Sequence, residues 1–575
     1  MNRGKNYPLY ETTVFPEFRF MVDQSAEKHP DSYALSYKVH PNDEEVIHIT
    51  YTEARKDIIA LGTEEIAMGL RDKKVAVIGG CSHYWIYTYF SLMAIGAVTV
   101  PLDKEMPAPD LAATIKRGDC MAVFYGPELA SKLDIIKAES GAEIFVCMAD
   151  SVPADASQDI AISSLISAGA AKYAAGDNSY YDYEIDPDRL ASIVFTSGTT
   201  GKGKGVMLSQ TNIVSDMTQG MYNFNITPKT LMLLPPHHTF GSTVNIVGHY
   251  AQGSEIYLTS GIKYLMREIQ EQKPKHLILV PLFVETLYRR IWAQAEKSGE
   301  AATLRKGMKL SGMLRKIGID KRRTIFKKIL HNFGDNLEMI ICGGAALNQD
   351  IIDFFDAIGI TILNGYGITE ASPLISCNRN EWQKNGSVGL PIIGEEVKIA
   401  DPDENGEGEI CVKGPNVMLG YYDDPEATAA VFDDEGYFHT GDYGKIDADG
   451  WIYITGRLKN LIIFGNGKNV YPEEIETEIS RIRGVLEVVV YAGESKSDPG
   501  KEVIVAEIYP DYEQLKGDGI EGDEAIQKYF NDNIKVANSR MAPYKKVGLV
   551  KVRKTEFIKN TSRKITRFNI DKSID

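Results

Sequence analysis

The chain has 575 residues, of which 43% are hydrophobic and 25% are charged, and its formal net charge is −16. This length predicts more than one domain, because single cores stop growing at about 300 residues, and the composition excludes a disordered or collagen-like chain. The acidic balance argues against nucleic acid as a partner, since neutralising phosphates requires a basic surface. The six cysteines form no CxxC pair, which predicts reduced thiols in a cytoplasmic protein rather than a zinc site or disulfides.

The first residues, MNRGKNYPLYETTVF, lack the apolar stretch of a signal peptide, so we do not expect export. The uncharged stretch from Trp85 to Leu102 has the minimum length of a membrane-spanning helix. Gly96, however, lies where a helix would end, and Val98–Pro101 is typical of a short strand. We therefore predict a buried helix followed by a core strand.

Short apolar, β-branched runs alternate with longer helical stretches through most of the chain before Gly343. The clearest runs are Val75–Ile78, Met121–Phe124, Glu143–Val146, His276–Val280 and Met339–Cys342. This alternation predicts parallel strands covered by helices, and therefore an α/β main body.

After Gly386 the sequence changes to strand-like pieces separated by Asp/Gly turns, which is typical of a β-rich subdomain. Beyond Leu461 a compact α+β piece is predicted. Its expected elements are helix Glu473–Ile482, strand Leu486–Ala492, strand Glu502–Tyr509 and helix Asp523–Val536. We therefore expect an α/β fold with a large domain of helix-covered sheets over 1–456, a hinge at 457–460 and a small domain over 461–575.

One segment is strongly basic within this acidic protein. Between Leu304 and Leu330, ten lysines and arginines accompany a single acid, Asp320. The basic residues are Arg305, Lys306, Lys309, Arg315, Lys316, Lys321, Arg322, Arg323, Lys327 and Lys328. Such a run is typical of a solvated helical hairpin, and it also fits peripheral docking on anionic lipid or steering of an anionic substrate.

The stretch TSGTTGKGKG, residues 196–205, nearly matches a nucleoside-triphosphate P-loop. From Gly198 the spacing reaches Gly203 and Lys204, but Gly205 stands where a P-loop carries a hydroxyl for Mg²⁺. Strand-like residues flank the loop on both sides, and a helix is expected only after Ser209. A P-loop runs directly into its helix, so this context argues against that class. A Gly/Ser/Thr loop with Lys204 as a point charge can still wrap a polyphosphate.

The longer stretch TSGTTGKGKGVMLSQTNI resembles the signature of the adenylate-forming (AMP-binding) superfamily, which includes acyl-CoA synthetases. It departs from the family at Lys202-Gly203, where an apolar residue and a proline are usual. Further motifs follow in the family's order: Leu234–Gly241, Gly343–Ala346, Asn364–Glu370, Tyr437–Asp442 with Gly456-Arg457, and Asn560–Arg567. In the last motif Arg563 replaces a common glycine.

The resemblance implies a set of site residues. Those implied to bind ATP or AMP are Thr196, Ser197, Gly198, Thr199, Thr200, Gly201, Lys204, Gly343, Gly344, Ala345, Asn364, Gly365, Tyr366, Gly367, Asp442 and Arg457. Those implied to act in catalysis are Lys564, Glu370, Thr369 and His238, with Glu370 and Ser197 holding Mg²⁺. Lys459 falls at the family's hinge of a mobile C-terminal domain, and Gly465, Gly467 and Lys468 fall beside its coenzyme A tunnel.

Residue chemistry agrees with several of these roles. Glu370 supplies the hard oxygen ligand that Gly205 cannot. The glycines flanking Tyr366 would leave its ring face open to a flat base. His237 and His238, taken as neighbours in an extended segment, would point to opposite sides, which argues against a zinc pair.

The Gly456–Glu476 stretch and the basic insert are most similar to long-chain acyl-CoA synthetases. The resemblance thus implies a ligase that uses ATP and Mg²⁺ to convert a medium- to long-chain fatty acid to acyl-AMP, and then transfers the acyl group to coenzyme A. A fatty acyl-AMP ligase or an acyl-carrier-protein ligase is the alternative. A P-loop regulatory protein is disfavoured by Gly205 and by the strand expected after the loop.

Overall fold

The computed structural model describes residues 9–153, 159–196, 203–463, 469–494, 502–559, 565–567 and 570–574. The chain divides into two compact units, the first formed by residues 1–396, 412–438 and 448–451, and the second by 397–411, 439–447 and 452–575. Much of the predicted β-rich piece therefore groups with the C-terminal part of the chain. The predicted domain boundary after 456 and the hinge at 457–460 stay predictions.

The strands are β1 (Tyr33–Tyr37), β2 (Ile47–Thr50), β3 (Lys74–Ile78), β4 (Val98–Leu102), β5 (Ala122–Tyr125), β6 (Ile144–Cys147), β7 (Ile160–Ala161), β8 (Leu190–Thr196), β9 (Lys204–Ser209), β10 (Lys229–Met232), β11 (Glu255–Leu258), β12 (His276–Leu279), β13 (Met339–Cys342), β14 (Thr361–Gly367), β15 (Leu374–Cys377), β16 (Leu390–Pro391), β17 (Glu396–Ala400), β18 (Gly408–Lys413), β19 (Gly420–Tyr421), β20 (Phe438–Ile446), β21 (Ile452–Arg457), β22 (Ile462–Ile463), β23 (Asn469–Val470), β24 (Val485–Glu494), β25 (Glu502–Pro510) and β26 (Leu549–Val552).

The helices are α1 (Phe18–Lys28), α2 (Tyr51–Ala67), α3 (His83–Ala94), α4 (Ala108–Arg117), α5 (Leu133–Glu139), α6 (Ile162–Ala174), α7 (Gln210–Asn223), α8 (Gly248–Ala251), α9 (Leu265–Gln272), α10 (Pro281–Lys297), α11 (Ala301–Lys316), α12 (Arg322–Ile325), α13 (Lys327–His331), α14 (Gln349–Ile358), α15 (Pro425–Ala429), α16 (Pro472–Ile479), α17 (Tyr512–Gly517) and α18 (Asp523–Asn538). A π-helix covers Phe240–Val247.

Three sheets build the first unit. The largest has the order β19-β9-β8-β4-β3-β5-β6-β7, and its strands from β8 to β7 run parallel. The second has the order β12-β13-β14-β15-β16, with the first three strands parallel, and the third has the order β10-β11-β1-β2. The predicted α/β class of parallel, helix-covered strands is confirmed, and the predicted apolar runs lie within one or two residues of β3, β5, β6, β12 and β13.

The uncharged stretch from Trp85 to Leu102 forms the buried helix α3 and the core strand β4, as predicted. Ile95 is the C-cap, and Gly96 follows with a φ of 79°, a left-handed conformation that glycine adopts without strain. None of the helices among the described residues combines the length and the apolar character that crossing a membrane requires.

The second unit contains the antiparallel pair β20 and β21 and the sheet β24-β25-β26. Helices α16 and α18 contribute Ile475, Ile479, Phe530 and Ile534 to its core. The predicted α+β elements are present, although α16 ends at Ile479 rather than Ile482. The chain needs a turn there before β24, and Gly484 in that turn has a φ of 82°.

Candidate active site

The TSGTTGKGKG loop connects two antiparallel strands. β8 pairs with β9, and Thr196 lies opposite Lys204. Helix α7 begins only after Ser209, whose hydroxyl accepts from Asn212 N at 3.0 Å, while the Asn212 side chain accepts from Ser209 N at 2.8 Å. This capping box confirms the predicted order of strand, loop, strand and helix, and so excludes a P-loop.

Packing explains why a glycine occupies position 205. A Cβ there would lie 3.0 Å from Ile193 Cγ2, 3.1 Å from Phe195 Cε1 and 3.2 Å from Tyr422 Cβ. These approaches are tighter than ordinary van der Waals contact, so a serine or threonine at this position would force its neighbours to shift by a few tenths of an ångström. The strand packing therefore favours glycine at this position.

Lys204 and Glu370 meet at Tyr421. The Tyr421 hydroxyl donates to Glu370 Oε1 at 2.9 Å, and Lys204 Nζ lies 4.2 Å from the centroid of the Tyr421 ring. Strand β19 places the tyrosine, because Tyr421 pairs with Val206 of β9. Burial and the charge of Glu370 raise the pKa of Tyr421, so its hydroxyl stays protonated and remains a donor. This arrangement puts a cation and a carboxylate beside the end of the loop.

The short turn that carries Thr369 and Glu370 is held from behind by Asn416. Its side-chain nitrogen donates to Ala371 O at 3.0 Å and to Leu374 O at 2.9 Å, and its main-chain carbonyl accepts from the Ser372 hydroxyl at 2.8 Å. Asp216 adds a further contact by accepting from Leu374 N at 2.8 Å. The turn is therefore fixed by buried hydrogen bonds rather than by solvent-exposed contacts.

The predicted adenine-binding segments lie side by side. Gly343 directly follows the end of β13. Because Cys342 pairs with Asn364, Gly343 lies beside the last residues of β14. A Cβ at Gly343 would lie 3.4 Å from Gly365 O. The carboxyl ends of parallel strands share one sheet edge, where α/β proteins bind ligands. The structure thus brings Gly343 beside Gly365, the second residue of the motif at Asn364, Gly365, Tyr366 and Gly367, while Gly344 and Ala345 follow Gly343 at the same edge.

The expected reason for the glycines beside Tyr366 needs correction. Tyr366 is only 6% exposed, so these glycines do not leave it open to solvent. A Cβ at Gly367 would instead collide with the carbonyl of Pro373, across the β14–β15 pair. Gly367 is therefore required by the close approach of two backbones. Stacking of Tyr366 on adenine stays a prediction.

The two neighbouring histidines do not point to opposite sides, and that expectation was wrong. The rings of His237 and His238 lie 4.1 Å apart between centroids, because the segment is a turn rather than an extended strand. His237 is buried, and this burial lowers its pKa, while Asp103, with Oδ2 at 3.7 Å, opposes the shift. The π-helix at Phe240–Val247 begins two residues after His238, and such helices are frequent at functional sites.

Asp442 and Arg457 lie opposite each other on β20 and β21 of the second unit. Arg457 Nε lies 2.6 Å from Asp442 Oδ1, and Nη2 donates to Oδ2 at 3.4 Å. The aspartate is therefore held in mid-strand by a partly exposed arginine. Lys459 follows in a short 3₁₀ turn, Leu458–Asn460.

Several predicted site residues lie outside the described residues. They are Ser197, Gly198, Thr199, Thr200, Gly201, Gly465, Gly467, Lys468 and Lys564. The departures at Lys202 and Arg563 lie outside them as well.

Sequence reasoning missed two groupings. Tyr421 carries no motif and follows Glu370 by 51 residues, so no spacing rule links them. In the second unit, His439 Nδ1 lies 2.7 Å from Glu409 Oε2 and 3.4 Å from Cys411 Sγ. Among the described residues this is the only group of three or more His, Cys, Asp or Glu close enough to share a metal ion. The histidine–carboxylate hydrogen bond accounts for the arrangement without an ion.

The family model of AMP-binding enzymes matches residues 22–422, more than half of the chain. The chain belongs to the AMP-binding enzyme family. The predicted membership of the adenylate-forming superfamily is thus confirmed.

Relatives of this AMP-binding enzyme include two ligases of long-chain fatty acids. The chloroplastic long-chain-fatty-acid acyl-carrier-protein ligase AEE15 of Arabidopsis thaliana is 28% identical over 551 residues, covering 84% of this chain and 75% of that protein. The long-chain-fatty-acid CoA ligase FadD15 of Mycobacterium tuberculosis is 28% identical over 488 residues, covering 78% and 76%.

Solved structures share the fold of this AMP-binding enzyme. The anthranilate CoA ligase AuaEII, in complex with anthranoyl-AMP, has a TM-score of 0.75 at 18% identity and covers 98% of this chain and 97% of its own. ATP-bound MatB from Rhodopseudomonas palustris has a TM-score of 0.72 at 23% identity and covers 96% and 98%. At these identities the likeness establishes the fold alone, and it agrees with the predicted fold class.

Proposed function

We propose that this AMP-binding enzyme activates a fatty acid with ATP, forming acyl-AMP and pyrophosphate, and then transfers the acyl group to coenzyme A. The observation that carries the proposal is the cluster of Lys204, Tyr421 and Glu370 at the end of the glycine-rich loop. The relatives named for long-chain fatty acids support the substrate class. A medium to long acyl chain is the length we propose.

In the first half-reaction the fatty acid carboxylate attacks the α-phosphorus of ATP, and pyrophosphate leaves. A carboxylate is already ionised at neutral pH, so the step needs no general base. Both reactants are anions, so catalysis requires alignment and charge neutralisation. Lys204 supplies positive charge beside the loop, and we propose that Lys564 supplies more at the α-phosphate.

The Glu370 carboxylate fits the hard oxygen ligand that Mg²⁺ prefers. The Tyr421 hydroxyl donates a hydrogen bond to Glu370 Oε1, whereas Glu370 Oε2 accepts no hydrogen bond from the residues that the structure describes. Glu370 would therefore hold the ion, with Ser197 as the second proposed ligand. When bound, Mg²⁺ neutralises charge on the phosphates. The Tyr421 hydroxyl fixes the direction of the carboxylate.

In the second half-reaction the thiolate of coenzyme A attacks the acyl carbon, and AMP leaves. We propose that Lys459 is the hinge on which the C-terminal part turns between the two steps, since hinges are a few residues at element ends. Gly465, Gly467 and Lys468 are proposed to line the coenzyme A tunnel.

A carrier protein is the second candidate acceptor. The relative AEE15 is named as an acyl-carrier-protein ligase, and its alignment covers 84% of this chain. Both candidates share the first half-reaction, so the acceptor alone distinguishes them.

A panel of carboxylates of increasing chain length, with ATP, Mg²⁺ and either coenzyme A or a phosphopantetheine carrier protein, tests the proposal. We expect AMP, pyrophosphate and acyl-CoA. Release of ADP and phosphate would refute adenylation, whereas acyl-AMP that reacts only with the carrier protein would support the second acceptor.

The role of Lys564 is tested with Lys564→Ala. We expect acyl-AMP formation to fall by about a hundredfold or more, as for loss of one preorganised transition-state donor. Thioester formation from presynthesised acyl-AMP should fall much less. Equal losses in the two half-reactions would contradict this assignment.

A further inference from the structure

We infer that one face of helix α11, together with Ile317 directly after it, docks the protein on an anionic lipid bilayer. The docking face consists of three apolar residues, Leu310, Met313 and Ile317, and three lysines, Lys306, Lys309 and Lys316. The inference concerns a partner of the protein and goes beyond the proposed reaction.

The apolar part of the docking face is unusually exposed. Ile317 is 70% exposed and Met313 66%, and these are the two highest values among the large hydrophobic side chains that the structure describes. Leu310 is 50% exposed. The spacing of three and then four residues places all three on one side of the helix. Ile319, just beyond the helix, is 42% exposed and extends the same apolar surface.

The opposite side of α11 already packs on the protein. Leu304 and Ser311 are buried, and the Ser311 hydroxyl donates to Met308 O and to Ala357 O. Arg315 pairs with Asp356 of helix α14. The helix therefore has a separate inward stripe, and the docking face is a second apolar stripe that the core does not need.

The structure sorts the ten basic residues of the 304–330 segment into two groups. The first group has partners within the protein. Arg315 and Arg322 pair with Asp356, and Lys328 pairs with Glu300. Arg323 donates to the carbonyls of Leu337, Asp335 and Gly359, and Arg305 lies over the Trp292 ring. The side chains of the remaining five form no ion pair or hydrogen bond with any residue in the described ranges. They are Lys306, Lys309, Lys316, Lys321 and Lys327.

Charge decides which occupant fits this face. Three of the five unpaired lysines lie on the docking face, although the whole protein carries a net charge of −16. A second copy of so acidic a chain would be repelled elsewhere on its surface. An anionic bilayer fits both the lysines and the apolar residues of the docking face. The lysines reach the anionic headgroups, and the leucine, methionine and isoleucine enter the boundary between headgroups and acyl chains. Such a surface also holds the fatty acids proposed as substrates.

Vesicle flotation of the full-length protein tests this inference without ATP or coenzyme A, so a wrong reaction assignment leaves the result unaffected. The vesicles contain phosphatidylcholine alone or equal parts of phosphatidylcholine and phosphatidylglycerol. We expect binding only to the anionic vesicles, and we expect it to weaken at high salt as the screening length shortens.

Two double variants separate the components of the face. Lys309→Gln/Lys316→Gln is expected to weaken binding about thirtyfold, because each lysine near an anionic surface contributes about fivefold. Met313→Ser/Ile317→Ser should weaken binding by about tenfold or more through loss of apolar burial. Matched controls are Lys56→Gln/Lys516→Gln and Val39→Ser/Val536→Ser, which alter exposed residues elsewhere.

Wild-type protein that stays unbound, or controls that weaken binding as much as the face variants, would overturn the inference. So would light scattering that shows a dimer which Met313→Ser/Ile317→Ser dissociates, since the face would then be a protein interface. Circular dichroism and Tm are expected to match the wild type, because every altered side chain is exposed.

Discussion

Replacing Glu395 with glutamine tests the electrostatics of the interior behind the Glu370 turn. Glu395 is 7% exposed, and both of its carboxylate oxygens are buried without a hydrogen-bond partner among the described residues. A Cβ at Gly414 would contact both the Glu395 carboxylate and, at 2.7 Å, Asn416 Oδ1. Burial, reinforced by the charge of Glu396, raises the pKa of Glu395 from 4.5 to about 8.

The direction of the pH effect follows from these values. Between pH 4.5 and about 8 the unfolded chain loses the Glu395 proton while the folded protein keeps it. The contribution of this group to stability is therefore full below pH 4.5 and is lost as the pH rises towards 8. The whole change is at most about 5 kcal/mol, at about 1.4 kcal/mol for each pH unit between the two values.

Glu395→Gln removes the ionisable proton at nearly constant volume, and its new amide can donate towards Asn416 Oδ1. As the pH rises from 5 to 9, we expect the free energy of unfolding of the variant to increase relative to that of the wild type by about 2 to 4 kcal/mol. Urea unfolding at each pH measures this difference. Glu27→Gln, at an exposed glutamate, is the control. Parallel profiles of wild type and Glu395→Gln would refute the reasoning.

Three further predictions concern neighbouring parts of the first unit. Tyr421→Phe should lower kcat/KM for acyl-AMP formation by about tenfold or more, the effect of losing one hydrogen bond to a charged group, and unchanged pyrophosphate release would contradict a positioning role for Tyr421. Gly205→Ser should destabilise the protein by about 1 to 3 kcal/mol in urea unfolding, because the added Cβ of the serine would crowd Ile193 and Phe195. A variant as stable as the wild type would show that these side chains can move aside without cost. The buried His249–His276 pair should make stability fall as the pH drops from 6.5 to about 4, because burial lowers the pKa of His249 to about 4 and lowers that of His276 well below its usual value, so that only the unfolded chain takes up protons in that window. His249→Gln should flatten this part of the stability profile, and an unaltered profile would count against the prediction.

The loop at 196–205 shows how far sequence reasoning reached. The strand before it, the strand after it and the cap at Ser209 could all be predicted, because alternation and capping are local patterns. The reason for Gly205 could not, since it lies in side chains from β8 and from Tyr422, far along the chain. Local patterns predict individual strands and helices, whereas the close approach of two of them depends on how they pack together.

Sequence reasoning erred in two ways: it gave a wrong orientation for His237 and His238, and it missed Tyr421. The opposite orientation expected for His237 and His238 rested on an extended segment, and a turn brought the rings together instead. Tyr421 was overlooked because its contact with Glu370 arises only when β19 joins the edge of β9. Both depend on how distant pieces of chain meet.

The sequence by itself determined the α/β class and the element order, because these follow from local periodicity and capping, and its motifs showed the resemblance to the superfamily. Only the tertiary structure decided that Tyr421 holds Glu370, that Gly367 is required by the close approach of two backbones and that packing favours Gly205. It also decided that the side chains of five of the ten basic residues at 304–330 form no ion pair or hydrogen bond with the part of the chain that the structure describes. Those facts concern contacts between residues far apart in the chain, which no local pattern encodes.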